Sequence, residues 1–168
     1  VAAVGGKVVV ATGRTQEGGA WHIHADAFAF DPATATWETL PDMPFPAMAG
    51  AGFGLGDSLV IVGGDKDVAR WDLVTGIAAE RARLQPGTPE SEKLGAALEL
   101  ITGHHTGFNT EILAYDPKRR AWSVAGRFPG PAPVTTQPAI WRGKPIVTSG
   151  EVRPGVRSPK VWIGSTDG

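Results

Sequence analysis

Three segments of this chain share one pattern: a turn residue, a polar residue, a short β-branched run and a closing Gly. They are Gly6-Lys7-Val8-Val9-Val10-Ala11-Thr12-Gly13, Asp57-Ser58-Leu59-Val60-Ile61-Val62-Gly63-Gly64 and Gly143-Lys144-Pro145-Ile146-Val147-Thr148-Ser149-Gly150. Each reads as a turn feeding a buried strand that stops where Gly supplies positive φ or a close backbone approach. A second pattern occurs twice. Phe30-Asp31-Pro32 followed by Trp37 matches Tyr115-Asp116-Pro117 followed by Trp122, each residue 85 positions from its counterpart. Asp closes an Asx-turn and Pro presets φ, so each copy reads as a hairpin, with Trp placed to pack on the neighbouring unit. Both copies run on into prolines, at Pro41 and Pro44 and at Pro129 and Pro131.

A long internal period of this kind means stacked supersecondary units, each unable to bury its own apolar face alone. Gly13 and Gly64 are 51 residues apart, and four strands fit in one period. The expected architecture is all-β, one propeller blade per repeat, with sheets around residues 1–43, 46–128 and 132–164. The approximate blade limits are 1–45, 46–131 and 132–168. Composition agrees: 23 Gly and 14 Pro in 168 residues call for many tight turns between short strands. The glycine-rich Gly52-Phe53-Gly54-Leu55-Gly56 reads as an inner strand at a crowded axis. Three blades cannot close a ring that needs roughly 4–8. With Val rather than Met at its start, the chain reads as processed or as a fragment; either two copies complete a ring or, as expected, the chain is part of a longer protein whose rest supplies the remaining blades.

The second unit carries an insertion. Gly13 to Trp37 is 24 residues, whereas Gly64 to Trp122 is 58. Between residues 66 and 105, Thr88-Pro89-Glu90-Ser91-Glu92 has a cap, a Pro and first-turn acids. Leu94, Ala97, Leu98 and Ile101 follow at helical spacing. This predicts one short helix over Pro89–Ile101, with Leu94, Leu98 and Ile101 inward and Glu92, Lys93 and Glu99 solvated. It is either a surface decoration or a lid over the propeller's pocket.

Several function classes drop out. A formal charge of −1 without charge blocks disfavours a nucleic-acid or membrane-surface binder. With no Cys, thiolate metal sites and cysteine nucleophiles are excluded. No apolar run approaches the ~20 residues of a membrane span, and no signal peptide is visible. There is no phosphate-binding loop, dinucleotide fingerprint or nucleophile elbow, so no cofactor is expected. His22 and His24 alternate on a strand and His104-His105 ends the insertion. Without a third ligand at recognisable spacing they read as partly exposed polar residues, and no metal is expected.

The segment Gly150-Glu151-Val152-Arg153-Pro154-Gly155-Val156-Arg157 is different. Pro154-Gly155 folds the chain back and can bring Glu151 and Arg157 to one side of a short loop. Spacing leaves two readings open: a surface ion pair worth ~0–1 kcal/mol, or a general base beside an anion-binding guanidinium.

The run from Gly5 to Trp162 resembles the kelch-type propellers of the N-acetylneuraminate epimerase (sialic acid mutarotase) family, including its cyclically permuted members. The likeness rests on Ala47-Met48-Ala49-Gly50, Val60-Ile61-Val62-Gly63-Gly64, Phe108-Asn109-Thr110-Glu111-Ile112-Leu113 and, most specifically, the Glu151 to Arg157 segment. It implies that this chain is about half of a six-bladed propeller. It also implies that Glu151 is the proton acceptor and Arg157 its partner, with Arg153 where relatives often carry Lys. Arg157 and Arg153 would then bind the substrate, a carboxylated sugar such as sialic acid, and the location would be periplasmic or secreted. The first unit departs from the pattern, ending Ala11-Thr12-Gly13 rather than Gly-Gly. The reading from another class is a non-catalytic kelch propeller that binds a protein or glycan through its loops.

Overall fold

The computed structural model describes residues 1–17 and 20–165. The first sheet is β1 (Ala2–Val4), β2 (Lys7–Glu17), β3 (Ala20–Asp31) and β4 (Thr36–Leu40), antiparallel in chain order. The second repeats that order with β5 (Ala51–Leu55), β6 (Ser58–Val62), then helices α1 (Val68–Ala82) and α2 (Pro89–Gly103), then β7 (Glu111–Asp116) and β8 (Ala121–Arg127). The third holds β9 (Ala139–Trp141), β10 (Lys144–Thr148) and β13 (Val161–Ile163). Between its last two strands a hairpin of β11 (Glu151–Arg153) and β12 (Val156–Arg157) stands apart. The three repeated segments thus lie in three different sheets, as propeller blades require. The last three positions assigned to the third blade, 166–168, lie outside the described residues.

Both hairpins form as their sequences demand. Asp31 Oδ1 accepts from Ala33 N at 2.9 Å, and Asp116 Oδ1 accepts from Lys118 N at 2.8 Å. Phe30 pairs across the strands with Trp37 and Tyr115 with Trp122, each pair of rings 5.2 Å apart. Trp122 reaches the first blade and donates its Nε1–H to Pro41 O at 2.8 Å. Trp37 has no blade beside it among the described residues and is 61% exposed.

The core lies between sheets. Leu59 and Ile61 of β6 point toward the first blade, joining Val4, Val9, Ala29, Leu113 and Tyr115. Val60 and Val62 point the other way, onto Phe53, Phe128, Ala132 and Val147. This is why β6 is an unbroken apolar run: alternate side chains feed two cores, and each fully buried one contributes about 1.5–3 kcal/mol. Glycine is obligatory at Gly54, where a Cβ would collide with the carbonyl oxygen of Ala3 on the neighbouring inner strand. Arg120 of the second blade clamps onto Glu38 of the first, which Lys7 also meets at 3.1 Å. Both cations hold the Glu38 carboxyl below its usual range, Arg120 most.

The insertion corrects the sequence reading. It holds two helices, not one. Thr88 caps α2 as expected, accepting from Ser91 N at 3.3 Å. Glu92, Lys93 and Glu99 are exposed, but Leu94, Leu98 and Ile101 are only half-buried; the buried residues of α2 are Ser91 and Gly95. The physical reason is the partner: α2 packs chiefly on α1, where the Arg81 guanidinium lies against Gly95, rather than on a deep core. The unpredicted α1 is capped by Asp67, whose side chain accepts from Arg70 N. It reaches the long β2–β3 hairpin, where Arg14 sits 4.2 Å from the Trp21 ring and 4.9 Å from the Trp71 ring.

Candidate functional site

The residue after the closing Gly holds the same place in the second and third blades. Asp65 exchanges two backbone hydrogen bonds with Met48, at 2.9 and 3.0 Å. Glu151 exchanges two with Val134, at 3.1 and 2.8 Å. Both carboxylates therefore emerge at the same end of their blades, beside the connection from the preceding sheet. The backbone geometry recurs as well. Thr12, Gly63 and Ser149 all have positive φ, at 61°, 74° and 54°, so the first and third blades adopt with Thr and Ser what the second adopts with Gly. Gly150 itself (φ 117°) is irreplaceable, since a Cβ there would stand 2.7 Å from Pro133 Cβ.

The Glu151 hairpin is built by its own sequence. Pro154-Gly155 makes the turn, with Gly155 at φ 74°, where an L side chain is strained. Glu151 and Arg157 are cross-strand partners, and Arg153 pairs with Val156 across a bulge. Glu151 is half-buried and Arg153 and Arg157 are exposed. The surface ion pair of the first reading, between Glu151 and Arg157, does not form. Glu151 Oε1 instead accepts Gly155 N–H at 2.6 Å, a short charge-assisted bond. Arg157 is exposed on the same hairpin.

The sequence reading missed a second cluster. Asp65 Oδ2 accepts from Arg70 at 2.9 Å and its Oδ1 accepts from Asp67 N at 3.1 Å. His105, read from sequence as a partly exposed residue, is buried beside them. Its Nε2 lies 3.6 Å from Asp65 Oδ2 and its ring 4.9 Å from Phe108. Burial pushes the imidazole pKa down, as does Arg70, while Asp65 opposes them. The signal for Asp65 was in the repeat, since it follows Gly64 as Glu151 follows Gly150. Nothing local marked His105. Of the other histidines, His24 Nε2 meets Thr15 Oγ1 at 2.7 Å and His22 is exposed. Among the described residues, no three His, Asp or Glu side chains come together as metal ligands.

Comparison with known proteins bears on the family and the fold. The family model described as N-acetylneuraminate epimerase matches residues 1–168. The N-acetylneuraminate epimerase of Haemophilus influenzae (strain PittEE) is 27% identical over 165 residues, covering 97% of this chain and 43% of the relative. That of Pasteurella multocida (strain Pm70) is 29% identical over 143 residues, covering 83% and 36%. A solved structure of YjhT superimposes with a TM-score of 0.78 at 20% identity, over 98% of this chain and 47% of that one. The structural likeness bears on the fold alone. The chain spans less than half the length of these relatives.

Proposed function

The chain belongs to the N-acetylneuraminate epimerase family, and from that premise we propose that it supplies three blades and a catalytic hairpin to a six-bladed kelch propeller that interconverts the anomers of N-acetylneuraminate. Glu151 is the general base. It takes the proton of the anomeric hydroxyl as the bond from the anomeric carbon to the ring oxygen breaks, and an acid protonates that oxygen. Rotation about the freed carbon and the reverse steps give the other anomer, with no net change in atoms. Arg157 holds the sugar carboxylate with its planar fork, and Arg153 adds positive charge beside it. One positioned acid/base group is worth roughly 10²–10⁴-fold, which suffices for a ring opening that also proceeds unaided.

The observation that carries this reading is the hairpin geometry. Glu151 and Arg157 stand opposite each other, and the carboxylate is oriented by a backbone N–H rather than neutralised by the guanidinium. The test is NMR exchange between the anomers of N-acetylneuraminate with the full-length protein. Glu151→Gln is expected to slow exchange by about 10²-fold or more while binding persists. Arg157→Lys is expected to weaken binding. If Glu151→Gln exchanges as fast as wild type, the catalytic role is lost and a non-catalytic propeller that binds a protein or glycan becomes the reading.

A further inference from the structure

The second blade shows what a blade of this repeat buries on the face it turns to its predecessor. Leu59 of β6 and Tyr115 of β7 are buried against the first blade. Trp122 of β8 packs on the same core and donates its Nε1–H to Pro41 O at 2.8 Å. The first blade carries the counterparts of these three residues: Val8, Phe30 and Trp37. Val8 pairs with Phe30, and Phe30 with Trp37, across the strands. All three face away from the second blade, because side chains alternate along a strand and it is their neighbours Val9 and Ala29 that join its core. None of the three is buried. Val8 is 36% and Trp37 61% exposed, and Phe30 is half-buried.

Single exposed apolar residues are ordinary on a protein surface, but contiguous ones whose counterparts are all covered mark an interface. The repeat also defines the partner. Trp122 meets a main-chain carbonyl in the connection that follows β4, so Trp37 fits a blade that presents a carbonyl at the same place. The cation clamp does not recur. Arg120, two residues before Trp122 and at φ 51°, reaches Glu38. Ala35, two residues before Trp37 and at φ 55°, repeats the backbone without the guanidinium. A second copy of the described residues does not fit this partner, because its third blade has no fourth strand beside β13 and hence no counterpart of β4 or of the connection that holds Pro41. More than half the length of the epimerase relatives lies outside the matched region, and a blade from the corresponding part of the same polypeptide has the strand and connection required.

We propose that the Val8–Phe30–Trp37 face is an inter-blade seam, covered by a blade of the same polypeptide from outside residues 1–168. Across it Trp37 Nε1–H donates to a main-chain carbonyl of that blade, and no guanidinium from this side clamps the join as Arg120 does between the first and second blades. The seam rests on the reading of this chain as part of a six-bladed propeller, and it names the side chains and the bond that join the first blade to the rest of the ring.

The test is hydrogen exchange of the indole N–H groups in the full-length protein, followed by NMR, with the Trp37 and Trp122 signals assigned by Trp37→Phe and Trp122→Phe. The Trp37 N–H should exchange on the order of 10²-fold or more slowly than an open indole, as Trp122 does, and at a rate independent of protein concentration. An N–H that exchanges as fast as an open indole overturns the seam. Protection that appears only at high protein concentration also overturns it, because the cover is then a second copy. Melting gives a second measurement. Trp37→Phe removes the donor and should lower the melting temperature about as much as Trp122→Phe does. Trp37→Lys puts a charge into a covered apolar face and should lower it well beyond that. If both Trp37 variants melt with wild type, nothing covers the face and the seam is lost. The seam and the catalytic reading fail differently. A protected Trp37 in a protein that does not accelerate anomer exchange removes only the role of Glu151. Accelerated exchange with an open Trp37 removes only the seam.

Discussion

Asp65 and Glu151 occupy one position in successive blades and live in opposite environments. Asp65 is 6% exposed, answered by a guanidinium and a backbone N–H. Glu151 is half-buried, held at one oxygen by its own turn. The backbone that presents them is the same, down to the paired hydrogen bonds with the connection from the preceding sheet. What differs is the loop that follows. In the second blade, more than forty residues with two helices fold back over the carboxylate. In the third, a Pro-Gly hairpin leaves it at the surface of a loop. In these two blades the repeat sets an acid at the same backbone position, and the loop that follows decides whether that acid is buried and paired or left at the surface.

That contrast breaks most visibly in stability. Asp65→Ala leaves Arg70 without its buried partner, and His105 loses the carboxylate beside it. The loss should be about 3–5 kcal/mol, read as a shift in the denaturant midpoint at unchanged m-value. Glu151→Ala removes one exposed-edge hydrogen bond and should cost about 1 kcal/mol or less. Equal losses at the two positions would mean that the insertion does not set the difference.

The turn behind Glu151 sharpens the same comparison from the catalytic side. Gly155→Ala places an L side chain at φ 74°, costing about 1 kcal/mol locally, and displaces the N–H that orients the carboxylate. Exchange should slow by about tenfold with little change in binding. The insertion of the second blade also turns on a Pro-Gly pair, but Gly87 (φ 81°) lies between α1 and α2 and orients no carboxylate, so Gly87→Ala should cost stability and leave exchange alone.

The sequence made these elements legible in proportion to how local their causes are. The Asp-Pro hairpins, the Phe30–Trp37 and Tyr115–Trp122 pairs and the alternating burial of β6 follow from patterns of a few residues. Helix α1 went unread although Asp67 caps it, because Val68, Trp71, Val74 and Ile77 recur at every third position, a row that drifts around the helix instead of marking one face, and none of its residues is fully buried. Glu151 and Arg157 were visible as a pair on one turn. The bond from Gly155 N–H to Glu151 depends on turn geometry that residue types alone do not specify. His105 was least legible, since its burial comes from Asp65 at the far end of the insertion and from the Phe108 ring.

Acid should separate the two regions as well. His105 has its pKa lowered by burial first and by Arg70 next, with Asp65 and Asp67 opposing. A histidine whose folded pKa lies below its unfolded value of about 6.5 takes up more protons when unfolded. Its contribution to stability is therefore complete above about pH 6.5 and is lost as pH falls from there through the folded pKa. The melting temperature of wild type should decline over that interval. His105→Phe should lack that part of the slope, whereas Glu151→Gln should retain it.

The smallest expected effect lies in the hairpin itself, between its two arginines. Arg157 stands opposite Glu151, whereas Arg153 stands opposite Val156 across the bulge. Both are exposed, so what each contributes depends on geometry rather than desolvation. A fork aligned with the base can hold a carboxylate through two parallel bonds. A guanidinium beside the turn acts through solvent as a screened charge. Arg153→Ala should therefore weaken N-acetylneuraminate binding by about two- to threefold at low salt, and the difference should vanish near 1 M salt, where charges interact over only about 3 Å. Arg157→Ala should weaken binding at both salt concentrations. Calorimetric titrations of the two variants at two ionic strengths separate these cases, and a salt-independent loss in Arg153→Ala would place that residue in direct contact with the sugar.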